Sequence, residues 1–229
     1  MSEADLHFWF DPVCPFAWMT SKWVRTVAAQ RDYSIDWRFI SLRLLNAHLD
    51  YDAHFPPEYD AGHTAGLRLL RVAARARAEH GRDAVAGLYA ALGAQVFETE
   101  PGASVPTPAE QAGLPLELAG ALEDTSWDGE IQAETDAALA LTGKDVGTPI
   151  LHFEPPHGVA FFGPVISRLP SDGDAVELWD HVIALARFAG FAELKRSLRE
   201  LPQLPALGVR PDEVGVQEDW HGGSRRQQR

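Results

Sequence analysis

Apolar positions change their rhythm several times along the chain. Leu6 to Phe10 is a short apolar run with aromatics, ended by Asp11-Pro12, which is the pattern of a buried strand. Pro15 then suits the opening of a helix, because its missing N–H has no partner at a first helical position. Trp18, Met19, Trp23, Val24 and Val27 recur at helical spacing as far as Arg31. Ile35, Trp37, Phe39 and Ile40, set against Asp36 and Arg38, predict a second strand. Strand, helix, strand is the smallest parallel unit with a crossover. From Pro56 to about Glu123 the chain is rich in Ala and Leu and keeps helical periods. Leu67, Leu70 and Ala74 make one stripe; Val85, Leu88, Leu92 and Val96 make another. Pro115 to Leu122 predicts a short helix and Asp128 to Leu141 a longer one. Gly147-Thr148-Pro149 leads into a strand over Ile150 to Phe153. Val159 to Phe162 follows after Pro155, Pro156 and Gly158, so the two strands form a hairpin. Asp174 begins a helix through Trp179, Val182, Ile183 and Leu185, and a shorter helix is expected over Phe191 to Leu201. After Pro202 the periodicity fades and Pro, Gly, Glu and Arg accumulate. Residues 202–229 are expected to be a disordered or loosely packed tail.

A sheet with one parallel unit and one hairpin, covered by helices on both faces, is an α/β protein in the thioredoxin arrangement. The expected division is a discontinuous thioredoxin-like domain over 1–55 and 126–201, with an inserted all-helical subdomain over 56–125. The 229 residues suit one large domain carrying an insertion. Twenty Lys+Arg against 33 Asp+Glu leave a net charge of -13, which argues against a nucleic-acid binder and against docking on anionic lipid. The N-terminus carries Glu3 and Asp5 where a signal peptide would be basic. No apolar run approaches the ~20 residues that span a bilayer. The expected compartment is the cytoplasm. A single cysteine rules out an internal disulfide and a Cys-rich zinc module.

That cysteine, Cys14, follows the first strand and stands where the first helix begins. Unpaired N–H groups and the helix dipole favour an anion there. The thiol pKa is therefore expected below its free value of ~8.5, with the helix end doing most of the lowering. The plainer alternative is a buried structural cysteine. Thr148-Pro149 begins a strand, and X-Pro is the one linkage at which cis is readily accessible. A cis bond there turns the Thr148 backbone outward beside the thiol, free to pair with an extended thiol ligand or peptide. An ordinary trans loop proline is the local alternative.

The run Phe8-Trp9-Phe10-Asp11-Pro12-Val13-Cys14-Pro15-Phe16-Ala17-Trp18 resembles the active-site segment of the DsbA-like branch of the thioredoxin superfamily. Within that branch it is most similar to the actinobacterial family of mycothiol-dependent nitroreductases and disulfide oxidoreductases. The likeness continues through Ser41-Leu42, Leu45-Asn46, Pro57-Glu58-Tyr59, Ala112-Gly113-Leu114-Pro115 and Asp145-Val146-Gly147-Thr148-Pro149. It extends to Phe161-Phe162-Gly163-Pro164-Val165, Leu178-Trp179-Asp180 and Glu193-Leu194-Lys195-Arg196, and so covers about residues 6–200 in order. The resemblance implies that Cys14 is the nucleophile and Thr148-Pro149 the cis-proline loop. It also implies that Pro15, Phe16, Ala17, Trp18, Asn46 and Tyr59 line the thiol and substrate pocket.

One departure changes the chemistry. The family motif is Cys-Pro-Trp-Cys, whereas this chain has Cys14-Pro15-Phe16-Ala17. A dithiol enzyme closes its own disulfide. Here an external thiol must resolve any mixed disulfide. The resemblance then implies a monothiol oxidoreductase with no tightly bound cofactor. Its co-substrate is mycothiol or another low-molecular-weight thiol, and its substrate a disulfide or small electrophile. Dithiol nitroreduction does not suit a lone thiol. Two other readings stay open. One is an enzyme of glutathione-transferase or hydroxychromene-carboxylate-isomerase type that binds the thiol non-covalently. The other is a non-catalytic member that binds a thiol or peptide. A monomer and a homodimer are both compatible with the sequence.

Other clusters carry less. Arg68, Arg71, Arg75 and Arg82 share a helical face if the helix passes Gly81, and such a stripe receives a carboxylate ligand or, more often, pairs with local acids. His54 and His63 among Asp50, Asp52 and Asp60 match no metal spacing. His152 alternates within a strand, as a core histidine or one reaching the site. Of the seven tryptophans, Trp9 and Trp18 flank the thiol. No phosphate loop, Ser-His-Asp order or nucleotide fingerprint appears.

Overall fold

The computed structural model describes residues 4–99, 106–221 and 224–225. Strand β1 (Leu6–Phe10) leads into α1 (Pro15–Gln30) and β2 (Ile35–Phe39). Two single-turn helices follow, α2 (Leu42–Leu45) and α3 (Tyr51–His54), then two long ones, α4 (Glu58–His80) and α5 (Arg82–Phe97). After the short α6 (Pro108–Gln111) and two 3-10 turns, 116–121 and 125–127, comes α7 (Asp128–Thr142). Then β3 (Ile150–Phe153), β4 (Ala160–Phe162) and α8 (Asp172–Arg187) complete the core, and β5 (Leu198–Glu200) and β6 (Gln217–His221) follow it.

The main sheet runs β2-β1-β3-β4. β1 pairs parallel with β2, Phe8 opposite Trp37, and antiparallel with β3, Phe8 opposite Leu151. β3 and β4 form the expected hairpin. β1 is central and buried along its whole length, which is why its sequence reads as a continuous apolar run rather than an alternation. Leu6, Phe8 and Phe10 belong to the large core with α1. Trp9 points the other way, to a smaller cluster with Ile40, Ala138 and Ile150 beneath α7. α1 and α8 lock together through Trp23, whose indole N–H donates to the Ala175 carbonyl at 2.8 Å and whose ring meets Trp179 edge-on at 5.4 Å. α7 closes the other face. Its Glu134 accepts the Phe39 N–H at 2.7 Å and its Thr135 hydroxyl accepts the Ser41 N–H at 3.1 Å, so two N–H groups at the edge of β2 find acceptors. The result is the thioredoxin fold with its second-face helix delayed by the helical block.

Within that block Gly81, at φ 84, ends α4, a left-handed angle that costs a glycine little. Arg82 therefore opens α5, and the four-arginine face does not extend past Arg75. The three arginines of that face that lie on α4 pair with acids. Arg71 binds Asp128 with two N–H donors, 2.7 and 2.9 Å, Arg75 pairs with Glu79, and Arg68 with Glu123. His63 is buried 3.0 Å from the Tyr51 hydroxyl, and among the described residues no cluster of His, Cys, Asp or Glu could hold a metal. His152 is a core histidine, 3.2 Å from the Gly158 carbonyl. No described helix is long and apolar enough to cross a membrane.

The C-terminal expectations are corrected. Residues 191–197 are irregular rather than helical, and 198–200 form β5. Nor are the described residues of the tail loose. β6 pairs antiparallel with β5, Arg199 opposite Glu218, and Trp220 is buried at 7% exposure. Two short strands of weak propensity are held by each other and by one large side chain, Trp220, that joins the main core against Phe16. Residues 226–229 lie outside the described residues.

Candidate active site

The turn between β1 and α1 is built to place one sulfur. Cys14 is the N-cap of α1, extended at φ -87 and ψ 113, and its Sγ accepts the Ala17 N–H at 3.4 Å. Its own N–H returns to the Asp11 carbonyl at 3.0 Å. Pro15 occupies the first helical position, as expected. The Thr148-Pro149 bond is cis, and the Cys14 thiol donates to the Thr148 carbonyl at 3.3 Å. The Thr148 hydroxyl donates to the Trp9 carbonyl at 3.3 Å, which ties the loop to β1. Two segments far apart in sequence thus meet across the sulfur.

The expected low thiol pKa is overturned. Loss of water around the buried sulfur pushes Cys14 up to about 12. The N–H groups of Ala17 and Phe16 and the Arg199 guanidinium pull it down, and Asp11 pushes it further up. The helix end does present its donors, but they do not offset desolvation at 7% exposure. Asp11 is itself fully buried. It accepts N–H bonds from Val13 at 3.0 Å and Leu42 at 2.8 Å, yet burial still pushes its carboxyl up to about 7.

The remaining expected residues divide. Ala17 is fully buried beside the sulfur, and Phe16 carries the cover of the site. Trp220 meets the Phe16 ring edge-on at 4.8 Å, and the Arg199 guanidinium carbon stands 5.7 Å from the same ring. Trp18 faces α5. Its indole N–H donates to Glu98 at 3.0 Å, and a side chain at Gly93 would run into its ring. Asn46 caps α2 and donates to the Leu42 carbonyl at 2.9 Å. Tyr59 stacks on Phe55 with ring centroids 5.6 Å apart and lies against His63. Asn46 and Tyr59 therefore sit near the Asp11 turn through Leu42 and the α4 N-terminus rather than beside Ala17 and Phe16. The α4 backbone comes close enough to that turn that a side chain at Gly66 would collide with Asp11 and Val13.

Sequence reasoning missed Arg199 and Trp220. Neither belongs to a motif. The one local signal was an isolated tryptophan in an otherwise polar tail. A cleft of about 1010 Å³ opens beside them, between the loop after α7, β4 and residues 191–199. Cys14 is not part of its wall, but Arg199 is.

A single thiol at a helix N-terminus thus faces a cis-proline loop on a thioredoxin sheet, which sets the chain among proteins of thioredoxin fold with a thiol at the helix start. Residues 13–196 match the Rv2466c-like family, described as mycothiol-dependent nitroreductase Rv2466c. The chain belongs to that family. It is 32% identical over 213 residues to uncharacterized protein Rv2286c of Mycobacterium tuberculosis, covering 90% of this chain and 84% of that protein. Among solved structures, it is similar to the cytosolic disulfide reductase DsbM from Pseudomonas aeruginosa, at 18% identity and a TM-score of 0.48 over 79% of this chain and 99% of that one. The same reductase with GSH matches at 17% identity and a TM-score of 0.46, covering 78% and 98%. A putative protein-disulfide isomerase from Pseudomonas syringae matches at 18% and 0.47, covering 78% and 92%.

Proposed function

We propose that this chain is a monothiol member of its family, exchanging mixed disulfides through Cys14 with a low-molecular-weight thiol of the mycothiol type. The Cys14 thiolate attacks one sulfur of a disulfide, that S–S bond breaks, and its electron pair leaves on the other sulfur as a thiolate. A second thiol, as thiolate, then attacks the bound sulfur and releases Cys14. Ala17 cannot perform that second step, so the resolving thiol comes from solution. The carrying observation is the lone Sγ, 3.3 Å from the Thr148 carbonyl beside Pro149, with Ala17 buried where a resolving sulfur would stand. In the mixed disulfide the Thr148 carbonyl gives up the thiol hydrogen and accepts an amide N–H of the bound partner. Phe16, Pro15 and Pro149 border that partner, while Trp18, Asn46 and Tyr59 shape the more distant wall. The covered, protonated thiol is the resting arrangement, and it gives up its proton before it attacks.

Intact mass after exposure to oxidised mycothiol tests this. One mycothiol adduct is expected on the wild-type chain, none on Cys14→Ala, and release on adding reduced mycothiol. A thiol that stays protonated and hydrogen-bonded as a donor favours instead the non-covalent, transferase-like reading. That reading gains if no adduct forms while thiol addition to an aromatic electrophile proceeds.

A further inference from the structure

We infer that Arg199 is the counter-ion of the Cys14 sulfur, holding its negative charge while the β5–β6 hairpin covers it. The inference rests on the exchange reaction proposed above. Arg199 stands in an aromatic box. Its guanidinium carbon lies 5.7 Å from the Phe16 centroid, 5.7 Å from that of Phe162 and 5.9 Å from that of Trp220. Its Nη1 is buried with no hydrogen-bond partner. Buried guanidinium donors normally find an acceptor, as those of Arg71 and Arg77 do here on Asp128, Glu130 and Glu134. An unused donor at the cover of a thiol is satisfied when that thiol becomes an anion.

The surroundings leave few competitors. Among the described residues, Asp11 from the end of β1, Tyr89 from α5 and Arg199 from β5 act on Cys14. Asp11 disfavours the thiolate; Arg199 is the cation that favours it. The effect is reciprocal, since Cys14 raises the Arg199 guanidinium that burial otherwise pulls down. Glu218 stands opposite Arg199 on the ladder. During exchange one negative charge spreads over three sulfurs in line: the attacking, the central and the leaving one. A fixed guanidinium stabilises that charge most where water is excluded. Arg199 also lines the neighbouring cleft of about 1010 Å³.

The test separates charge from cover. Arg199→Met keeps a long apolar stem in the aromatic box and removes only the charge. Iodoacetamide alkylation of Cys14 is followed by intact mass from pH 8.5 to 10, above the range in which Asp11, raised to about 7, titrates. Losing a nearby cation is expected to move the thiol pKa up by about one unit; the thiolate fraction falls about tenfold while the more basic thiolate reacts about threefold faster, so alkylation slows about three- to fourfold. Arg199→Lys is expected within about 1.5-fold of wild type. Arg199→Gln is read the same way as the methionine variant if the latter does not fold. An unchanged or faster Met variant, or a Lys variant as slow as Met, overturns the assignment; the faster result means that Arg199 merely shields the thiol. A wild-type chain that takes up no mycothiol sinks the exchange reading instead. Uptake with an unshifted Met profile sinks only the role of Arg199.

Discussion

Replacing Trp220 with alanine should turn a sluggish thiol into a reactive one. The indole is 7% exposed and rests on Phe16, two residues from the sulfur, with Arg199 against its ring. Truncating a buried Trp costs about 3–5 kcal/mol where the whole core feels it. A three-residue ladder between β5 and β6 cannot hold its place against such a loss, so the cover opens and water reaches Sγ. At pH 8 a thiol at about 12 is ionised to roughly one part in ten thousand; an ordinary thiol near 8.5 is about one quarter ionised. That gain of about three orders of magnitude is partly cancelled, because a less basic thiolate is a weaker nucleophile. With a Brønsted slope of about 0.45 over some 3.5 units the intrinsic rate falls about fortyfold. The net expectation is alkylation about fiftyfold faster, before any steric gain. The assay is the second-order rate constant with iodoacetamide at pH 8, with circular dichroism to establish that the main domain remains folded. A folded Trp220→Ala chain that reacts within threefold of wild type would show that burial by the hairpin is not what silences Cys14.

Other expectations follow from the same geometry. Ala17→Cys places a second thiol where the Ala17 N–H already meets Sγ at 3.4 Å, so oxidation should remove two hydrogens in the mass spectrum and disulfide reductase turnover should appear. Neither change means that the scaffold no longer supports dithiol chemistry. Asp11 is raised from 3.8 to about 7, so between those values the folded chain holds a proton that the unfolded chain has released. Its contribution to stability therefore falls as pH rises through that window, by up to about 4 kcal/mol. Asp11→Asn should remove that part of the slope, read from urea midpoints at pH 4 to 8; identical slopes would refute the assignment. Arg71 is 7% exposed and joins α4 to Asp128 and the Leu122 carbonyl. Arg71→Met should cost about 1–3 kcal/mol by removing its hydrogen bonds to Asp128, which stays partly solvated, and to the Leu122 carbonyl, and Asp128→Asn in the same chain should return part of it. Thermal melts of the single and double variants provide the check.

The chain declared on its own whatever depends on near neighbours. A continuous apolar run made β1 central, Pro15 placed the start of α1, and so Cys14 became an N-cap. Gly81 broke the long helix because its left-handed φ suits no other residue as well. The order of strands and helices already implied the thioredoxin sheet, and Thr148-Pro149 lay where that sheet brings it against the thiol. What tertiary structure alone decided is the state of the sulfur. Donors at a helix end follow from local sequence, but desolvation depends on which distant groups arrive to exclude water. Here those groups are Thr148, Arg199 and Trp220. β5 and β6 are too short to form by themselves, and they exist because each pairs with the other and Trp220 buries itself on Phe16. A pattern read along the chain carries no trace of that encounter, and the encounter sets whether Cys14 rests as a thiol or a thiolate.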